Sequence, residues 1–105
     1  MAVYPQTAED CIKRALPEVV ERMRREFAEA GGSPEPGSAL DQAGLLDGEE
    51  IVLDYLRHGE PGLALEHLIY MIHEAGLAIS IETYQLIERA GLEMEMDPQL
   101  WELLR

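Results

Sequence analysis

Residues 59–76 read GEPGLALEHLIYMIHEAG, and this stretch decides the fold. Pro61 suits the first turn of a helix and Gly76 suits its end, so the sequence predicts a helix between them. The apolar residues cover roughly 160° of a helical wheel, and they are Ala64, Leu65, Leu68, Ile69, Met71 and Ile72. The opposite arc is polar and holds Glu66, His67, Tyr70, His73 and Glu74. We therefore expect a central helix with a wide buried face.

A second helix is predicted on the N-terminal side of this stretch. It begins at Asp47, because Asp47 and Glu50 have the spacing of a capping box, and it ends at Gly59. Its apolar residues are Ile51, Val52, Tyr55 and Leu56. Since the turn over 59–61 is short, the second and third helices are expected to form an antiparallel pair.

Two more helices are predicted on the C-terminal side. Ser80 caps a fourth helix that runs to Gly91, with Ile79 and Tyr84 at the two positions of a hydrophobic staple. Asp97-Pro98 opens a short last helix, whose apolar residues are Leu100, Trp101 and Leu104.

The N-terminal third of the chain predicts one long amphipathic helix over residues 7–30. Thr7 caps it, Gly31-Gly32 stops it, and its apolar stripe consists of Ile12, Leu16, Val19, Val20, Met23 and Phe27. Pro17 falls on the solvent side, where we expect a kink or a break into two aligned pieces. Residues 31–46 are rich in Pro and Gly and predict a loop, with a short turn at Ala39 to Ala43.

These segments predict an all-α fold of four to five helices. No segment shows the alternation of a strand over more than a few residues. At 105 residues the chain is expected to form a single domain over residues 1–105. The domain is expected to begin with the long amphipathic helix and to end with an acidic helical segment over 47–105.

The net charge of −13 is unevenly distributed along the chain. Residues 1–33 carry six acids and five bases, whereas the remainder carries fifteen acids and three bases. Four acid–base pairs of the first segment stand four residues apart, an order that supports a helix; they are Glu9–Lys13, Asp10–Arg14, Glu18–Arg22 and Glu21–Arg25. The acids after residue 33 mostly lack such neighbours, so we expect their charge to face outward.

This balance disfavours several classes of partner and location. Nucleic acid and anionic membranes are bound by basic side chains, so neither is expected as a direct partner. Cys11 is the only cysteine, which excludes an intrachain disulfide. The N-terminus lacks the pattern of a signal peptide, and no apolar run is long enough to span a membrane. A cytoplasmic setting is expected.

The candidates for chemistry are weak. His58, His67 and His73 lie near acids, but Glu66 and His73 are seven residues apart, beyond the spacing at which one helix supplies two metal ligands. A solvated polar face is the better interpretation, and a zinc or iron site is the alternative. Cys11 lies off the apolar stripe and is expected to be exposed without a catalytic role. We predict no enzyme, no metal and no cofactor.

Two apolar features leave both a structural and a binding role open. Met71, Met94 and Met96 fit either core packing or an adaptable binding patch. Trp101 fits either an anchor that closes the core or an interface hot spot.

An outward acidic surface is the remaining candidate for function. Its predicted residues are Asp47, Glu49, Glu50, Asp54, Glu60, Glu66, Tyr70, Glu74, Glu93, Glu95 and Asp97. Such charge steers association with a basic partner and raises the on-rate by about 10 to 1,000-fold at low salt. The alternative is a generic acidic surface, part of which complements helix dipoles. Many basic partners are enzymes that act on nucleic acid, so an inhibitor of one is plausible.

Part of the chain resembles a known family. The run DYLRHGEPGLALEHL over 54–68 is followed by Glu74, Ile79-Ser80, Tyr84 and Ile87, and then by Gly91, Trp101 and Leu104. This pattern resembles the MafI family of bacterial immunity proteins over residues 47–104. The resemblance implies a small cytoplasmic protein that binds and neutralises a cognate polymorphic toxin, often a nuclease.

Two functions follow as expectations. The first is an immunity protein that inhibits a basic toxin through its acidic surface. The alternative is a non-catalytic helical adaptor or regulatory subunit, in which the first helix and the Met-rich segment pair with another protein or with a second copy in a homodimer.

Overall fold

A computed structural model describes residues 7–29, 31 and 45–104. Within these ranges the chain forms five helices and no strand, which confirms the all-α class and the long first helix. The helices are α1 (Ala8–Glu29), α2 (Gly48–Arg57), α3 (Pro61–Ala75), α4 (Ile81–Glu93) and α5 (Gln99–Glu102). The loop predicted over 31–46, with its turn at 39–43, lies outside the described residues except for Gly31, Leu45 and Leu46.

The first helix packs mainly against α4 and α3. The Asp10 N–H donates to Oγ1 of Thr7 at 3.1 Å, so Thr7 caps the helix as predicted. Pro17 is exposed, also as predicted, but α1 is continuous through it. Of the predicted kink or break, the break does not occur, since the proline removes a single backbone hydrogen bond on the solvent side.

The expectation that Cys11 is exposed is wrong. Its side chain is fully buried beside Ala8 and Ala15, since these small residues widen the buried face of α1 beyond the predicted stripe. Burial raises the pKa of the Cys11 thiol, and the charges of Arg89 and Glu93 on α4 contribute smaller, opposing effects. The thiol is therefore a core group.

The pairing of α2 with α3 follows the prediction, but the start of α2 does not. Asp47 occupies the N-cap position, yet its side chain makes no capping hydrogen bond, so the predicted capping box is absent. The helix ends at Arg57, and Gly59 adopts a φ of 71° in the turn. Such a left-handed conformation suits glycine.

The third helix is central, as predicted. It contacts each of the other four helices, and all six predicted apolar residues are buried, namely Ala64, Leu65, Leu68, Ile69, Met71 and Ile72. Gly76 ends the helix with a φ of 62°. Met71 is therefore core packing, in contact distance of Gly48 at the start of α2.

The fourth helix begins as predicted and ends later. The Thr83 N–H donates to Oγ of the N-cap residue Ser80 at 3.2 Å. Gly91 does not stop the helix, which continues to Glu93. A methyl group at Gly91 would overlap the indole of Trp101, so this glycine makes room for the side chain that anchors α5. Trp101 is 1% exposed, which confirms its structural role.

A carboxylate links α1 to the start of α4. The Ser80 N–H donates to Oε2 of Glu18 at 2.7 Å, across 62 residues of sequence. Partial burial raises the pKa of Glu18, but hydrogen bonds from Ser80 and Thr83 and the charge of Arg22 outweigh burial, so the pKa is lowered overall. Glu18 thus supplies an anion at the positive end of the α4 dipole.

Candidate partner-binding surface

The predicted acidic surface lies at the outside of the molecule. Tyr70 and Glu74 are half-buried, and the other nine predicted residues are exposed. Residues 45–104 carry thirteen Asp and Glu against two Arg. Ten of the predicted residues fall into three groups, at the start of and along α2, along α3, and from the end of α4 to the connection before α5, while Glu60 lies between α2 and α3.

The group on α2 is partly compensated. Glu49 and Glu50 lie in the first turn, where the helix dipole favours acids. Glu50 Oε2 is 3.9 Å from Nη2 of Arg57, and Asp54 Oδ1 is 3.5 Å from Nδ1 of His58. Exposed pairs of this kind contribute little stability, but the Arg57 charge reduces the charge that this group presents to a partner.

Glu60 belongs to the turn between α2 and α3. The Glu60 N–H donates to the Tyr55 carbonyl at 2.9 Å, and the Gly59 N–H donates to the Leu56 carbonyl at 3.1 Å. These bonds close the end of α2. The run His58 to Gly62, part of the stretch quoted for the resemblance, therefore forms the turn and the first two residues of α3.

The group on α3 forms a row along one face of the helix. Glu66, Tyr70 and Glu74 are successively four residues apart, so they lie one turn above another. The rings of Tyr70 and His67 are 5.4 Å apart between centroids. This row borders the side of α3 that faces α5.

The third group contains a strained residue. Glu95 has a φ of 56°, the one left-handed residue other than glycine in the described part of the chain. The Glu95 N–H donates to the Leu92 carbonyl at 3.1 Å, and the Met96 N–H donates to the Gly91 carbonyl at 2.9 Å. This pattern repeats the end of α2, with glutamate in the place of Gly59.

The groups on α3 and before α5 meet in a hollow that we name the C-terminal groove. Its volume is about 340 Å³, and it is lined by Glu66, Ile69, Tyr70, His73, Asp97, Gln99, Leu100, Leu103 and Leu104. Asp97 is fixed at its rim, because Oδ1 accepts the Gln99 N–H at 3.0 Å. The structure thus brings together Glu66, Tyr70 and Asp97 of the predicted residues, around an apolar floor.

A second hollow of about 420 Å³ adjoins the C-terminal groove at Leu104, which lines both. It contains Ile79 and Tyr84, the predicted staple, together with Glu88. Leu103 is 72% exposed in the first hollow and Ile81 is 70% exposed in the second. No lysine or arginine lines either hollow among the residues that the structure describes.

The apolar floor was not predicted as part of the site. Sequence reasoning named Leu100 and Leu104 only as apolar residues of the last helix, and it did not consider Leu103. The available signal was the spacing of Leu100, Leu103 and Leu104, in and just after a helix too short to bury them all. The exposure of Leu103 depends on how Trp101 seats α5, which a sequence pattern does not specify.

Glu49 lies apart from this groove, at a hollow that we name the α1–α2 groove. It has a volume of about 400 Å³ and is lined by Lys13, Leu16, Pro17, Val20, Glu21, Arg24, Glu49 and Leu53. Glu21 pairs there with Arg24 at 3.1 Å and with Arg25 at 3.3 Å. Acids and bases are therefore balanced in this groove.

The described residues give little basis for other chemistry. Among them, no three His, Cys, Asp or Glu side chains are grouped so that they could hold a metal ion. None of the helices described has both the length and the apolar character needed to cross a membrane.

Comparisons of the chain with family models, with curated proteins and with solved structures found no match. The resemblance to the MafI family therefore remains a prediction from the residues quoted for it.

Proposed function

We propose that the chain is an immunity protein, which binds a cognate bacterial toxin with a basic surface and neutralises it in the cytoplasm. The toxin is proposed to be a nuclease, because enzymes that hold nucleic acid present basic surfaces. The inhibitor acts by occupying that surface, without catalysis, a metal or a cofactor.

The observation that carries this proposal is the separation of charge on the molecule. The acids of α1 include pairs with neighbouring bases, such as Lys13 with Glu9 at 3.0 Å. Over residues 45–104 the acids outnumber lysine and arginine by thirteen to two, and those at the C-terminal groove surround exposed apolar side chains. Acidic charge around an apolar centre suits a protein interface with a basic partner.

The second candidate is a helical adaptor or a homodimer, and a specific observation favours it. Leu103 and Ile81 are each at least 70% exposed on neighbouring hollows. Exposed apolar side chains of this kind also suit a symmetric interface between two copies.

The test is to co-express the chain with the toxin encoded beside it. We expect growth to be rescued, a 1:1 complex to be isolated, and the on-rate to fall steeply as salt rises. Substitution of Glu50 and Asp54 by lysine should slow association by about tenfold, because it reverses charge on the acidic surface.

The matched control is Glu21→Lys, which changes an exposed acid on the compensated side of the molecule. It should leave the on-rate within about twofold of the wild type. Failure of the chain to bind any protein encoded beside its gene would contradict the proposed function. A tight homodimer that is insensitive to salt would favour the adaptor instead.

A further inference from the structure

We propose that the C-terminal groove is the docking site for a cationic amphipathic helix of the partner protein. This inference rests on the proposed function for the identity of the partner, and it adds the surface and the chemistry that would be recognised. The groove differs from the rest of the acidic surface in having an apolar floor.

The shape of the surface supports a helix as the occupant. Apolar side chains continue from Leu100 and Leu103 across Leu104 to Ile81, through two adjoining hollows. A helix that lies in such a groove inserts apolar residues spaced three and four apart, and its flanks face the rims. Leu103 and Ile81, at 72% and 70% exposure, are the apolar side chains of these two hollows with most surface left to bury.

The charge of the rims specifies basic flanks on that helix. Glu66 and Asp97 border the first hollow and Glu88 borders the second, while no lysine or arginine lines either one in the described part of the chain. His73 is the one other titratable base at the first hollow. Lysine or arginine on both flanks would therefore meet acids, and glutamate there would be repelled.

The experiment uses a synthetic helical peptide as the probe. The peptide is about five turns long, with leucine along one face and lysine elsewhere. We expect it to bind the intact chain, measured by fluorescence anisotropy, and to shift amide NMR signals of Tyr70 and Leu103. A peptide with the same leucines and with glutamate in place of lysine should not bind.

Two variants and two matched controls locate the site. Leu103→Asp, and separately the pair Glu66→Lys and Asp97→Lys, should each raise the Kd by about tenfold or more. Leu46→Asp and Glu21→Lys are the controls, because both side chains are exposed, Leu46 at 78%, and neither lines the C-terminal groove. The controls should change the Kd by less than about twofold.

Several results would overturn the proposal. Equal loss of affinity in the controls, shifts centred on Arg24 and Glu49, or equal binding of the glutamate peptide would each do so. A homodimer of the wild type that Leu103→Asp converts to monomer would show that a second copy occupies the groove.

The same variants separate this inference from the proposed function. If a cognate toxin binds the Leu103→Asp variant as tightly as the wild type, the proposed function stands, but the C-terminal groove is not the docking site. Conversely, a lysine peptide that seats in the groove while no neighbouring toxin binds supports the groove and contradicts the immunity function.

Discussion

The α1–α2 groove and the C-terminal groove are similar in size, at about 400 and 340 Å³, but they differ in charge. Lys13 and Arg24 balance Glu21 and Glu49 in the first. The second has acids without lysine or arginine among its described lining residues. A net charge of −13 therefore says little about where a basic partner binds until each acid is assigned to its neighbours.

The two sides also differ in the length of their helices and in the number of buried side chains that hold them. The α1 side has a helix of 22 residues with eight buried side chains, whereas α5 has four residues and one buried side chain, Trp101. The strained residue Glu95 lies in the connection leading to α5. Backbone strain and exposed apolar side chains both reduce stability, and neither is needed for folding. Such features are commonly found at functional surfaces.

The largest expected effect comes from removing the anchor of the C-terminal side. Trp101→Ala should lower the free energy of unfolding by about 3–5 kcal/mol, because it leaves a large cavity against Gly91. Urea denaturation measures the loss. Amide signals of the α1–α2 groove should stay in place in the folded variant while those of the C-terminal groove shift.

The control for this variant is Leu103→Ala, at a side chain that is 72% exposed at the C-cap position of the same short helix. Its cost should be below about 0.5 kcal/mol. Similar losses of unfolding free energy in the two variants would show that α5 is not held by Trp101 alone. The proposed difference between the two sides in buried anchoring side chains would then be wrong.

A smaller effect is expected where the two sides are joined. Glu18→Gln should lower the free energy of unfolding by about 1–2 kcal/mol at pH 7, because the carboxylate accepts the Ser80 N–H at the positive end of α4. Glu21→Gln is the control, since its ion pairs are exposed, and its cost should be below about 0.5 kcal/mol.

The same pair of variants tests the pH dependence of that link. The folded pKa of Glu18 lies below its ordinary value of 4.5. Its stabilisation is therefore fully present above pH 4.5 and is lost as pH falls through the lowered pKa. The difference in unfolding free energy between the wild type and Glu18→Gln should shrink over that range, whereas a constant difference would contradict the assignment.

The smallest expected effect is a gain in stability. Glu95→Gly should raise the free energy of unfolding by about 1 kcal/mol, because glycine adopts a positive φ without a steric penalty. Glu93→Gly is the control, and it should lower stability by about 0.5–1 kcal/mol because Glu93 lies within α4. If both variants lose stability, Glu95 contributes more through its side chain than its backbone costs.

The helices were predictable wherever a local signal set them. Pro61, Gly76 and Ser80 mark ends of α3 and the start of α4 through their own backbone preferences and hydrogen bonds. The burial of Cys11 and the continuation of α4 through Gly91 were not predicted. Both depend on partners distant in sequence, α4 for Cys11 and Trp101 for Gly91, and periodicity along one helix carries no information on them.

The candidate surface was predictable only in its charge. Counting acids and their neighbours identified Glu66 and Asp97 as outward-facing, but it also included Glu50 and Asp54, which lie beside Arg57 and His58 in the structure. Separating these groups requires the spatial arrangement of helices. The apolar floor beneath Glu66 and Asp97 likewise exists only once α5 has docked.

The contact between Gly91 and Trp101 has a consequence for how this sequence can change over generations. No side chain larger than hydrogen fits at position 91 while an indole occupies the space beside it. A substitution that enlarges residue 91 therefore requires a smaller residue at position 101. A sequence that carries only the larger residue at position 91 is disfavoured, because the two side chains would overlap. A sequence that keeps Trp101 as the anchor of α5 must therefore also keep Gly91 of α4.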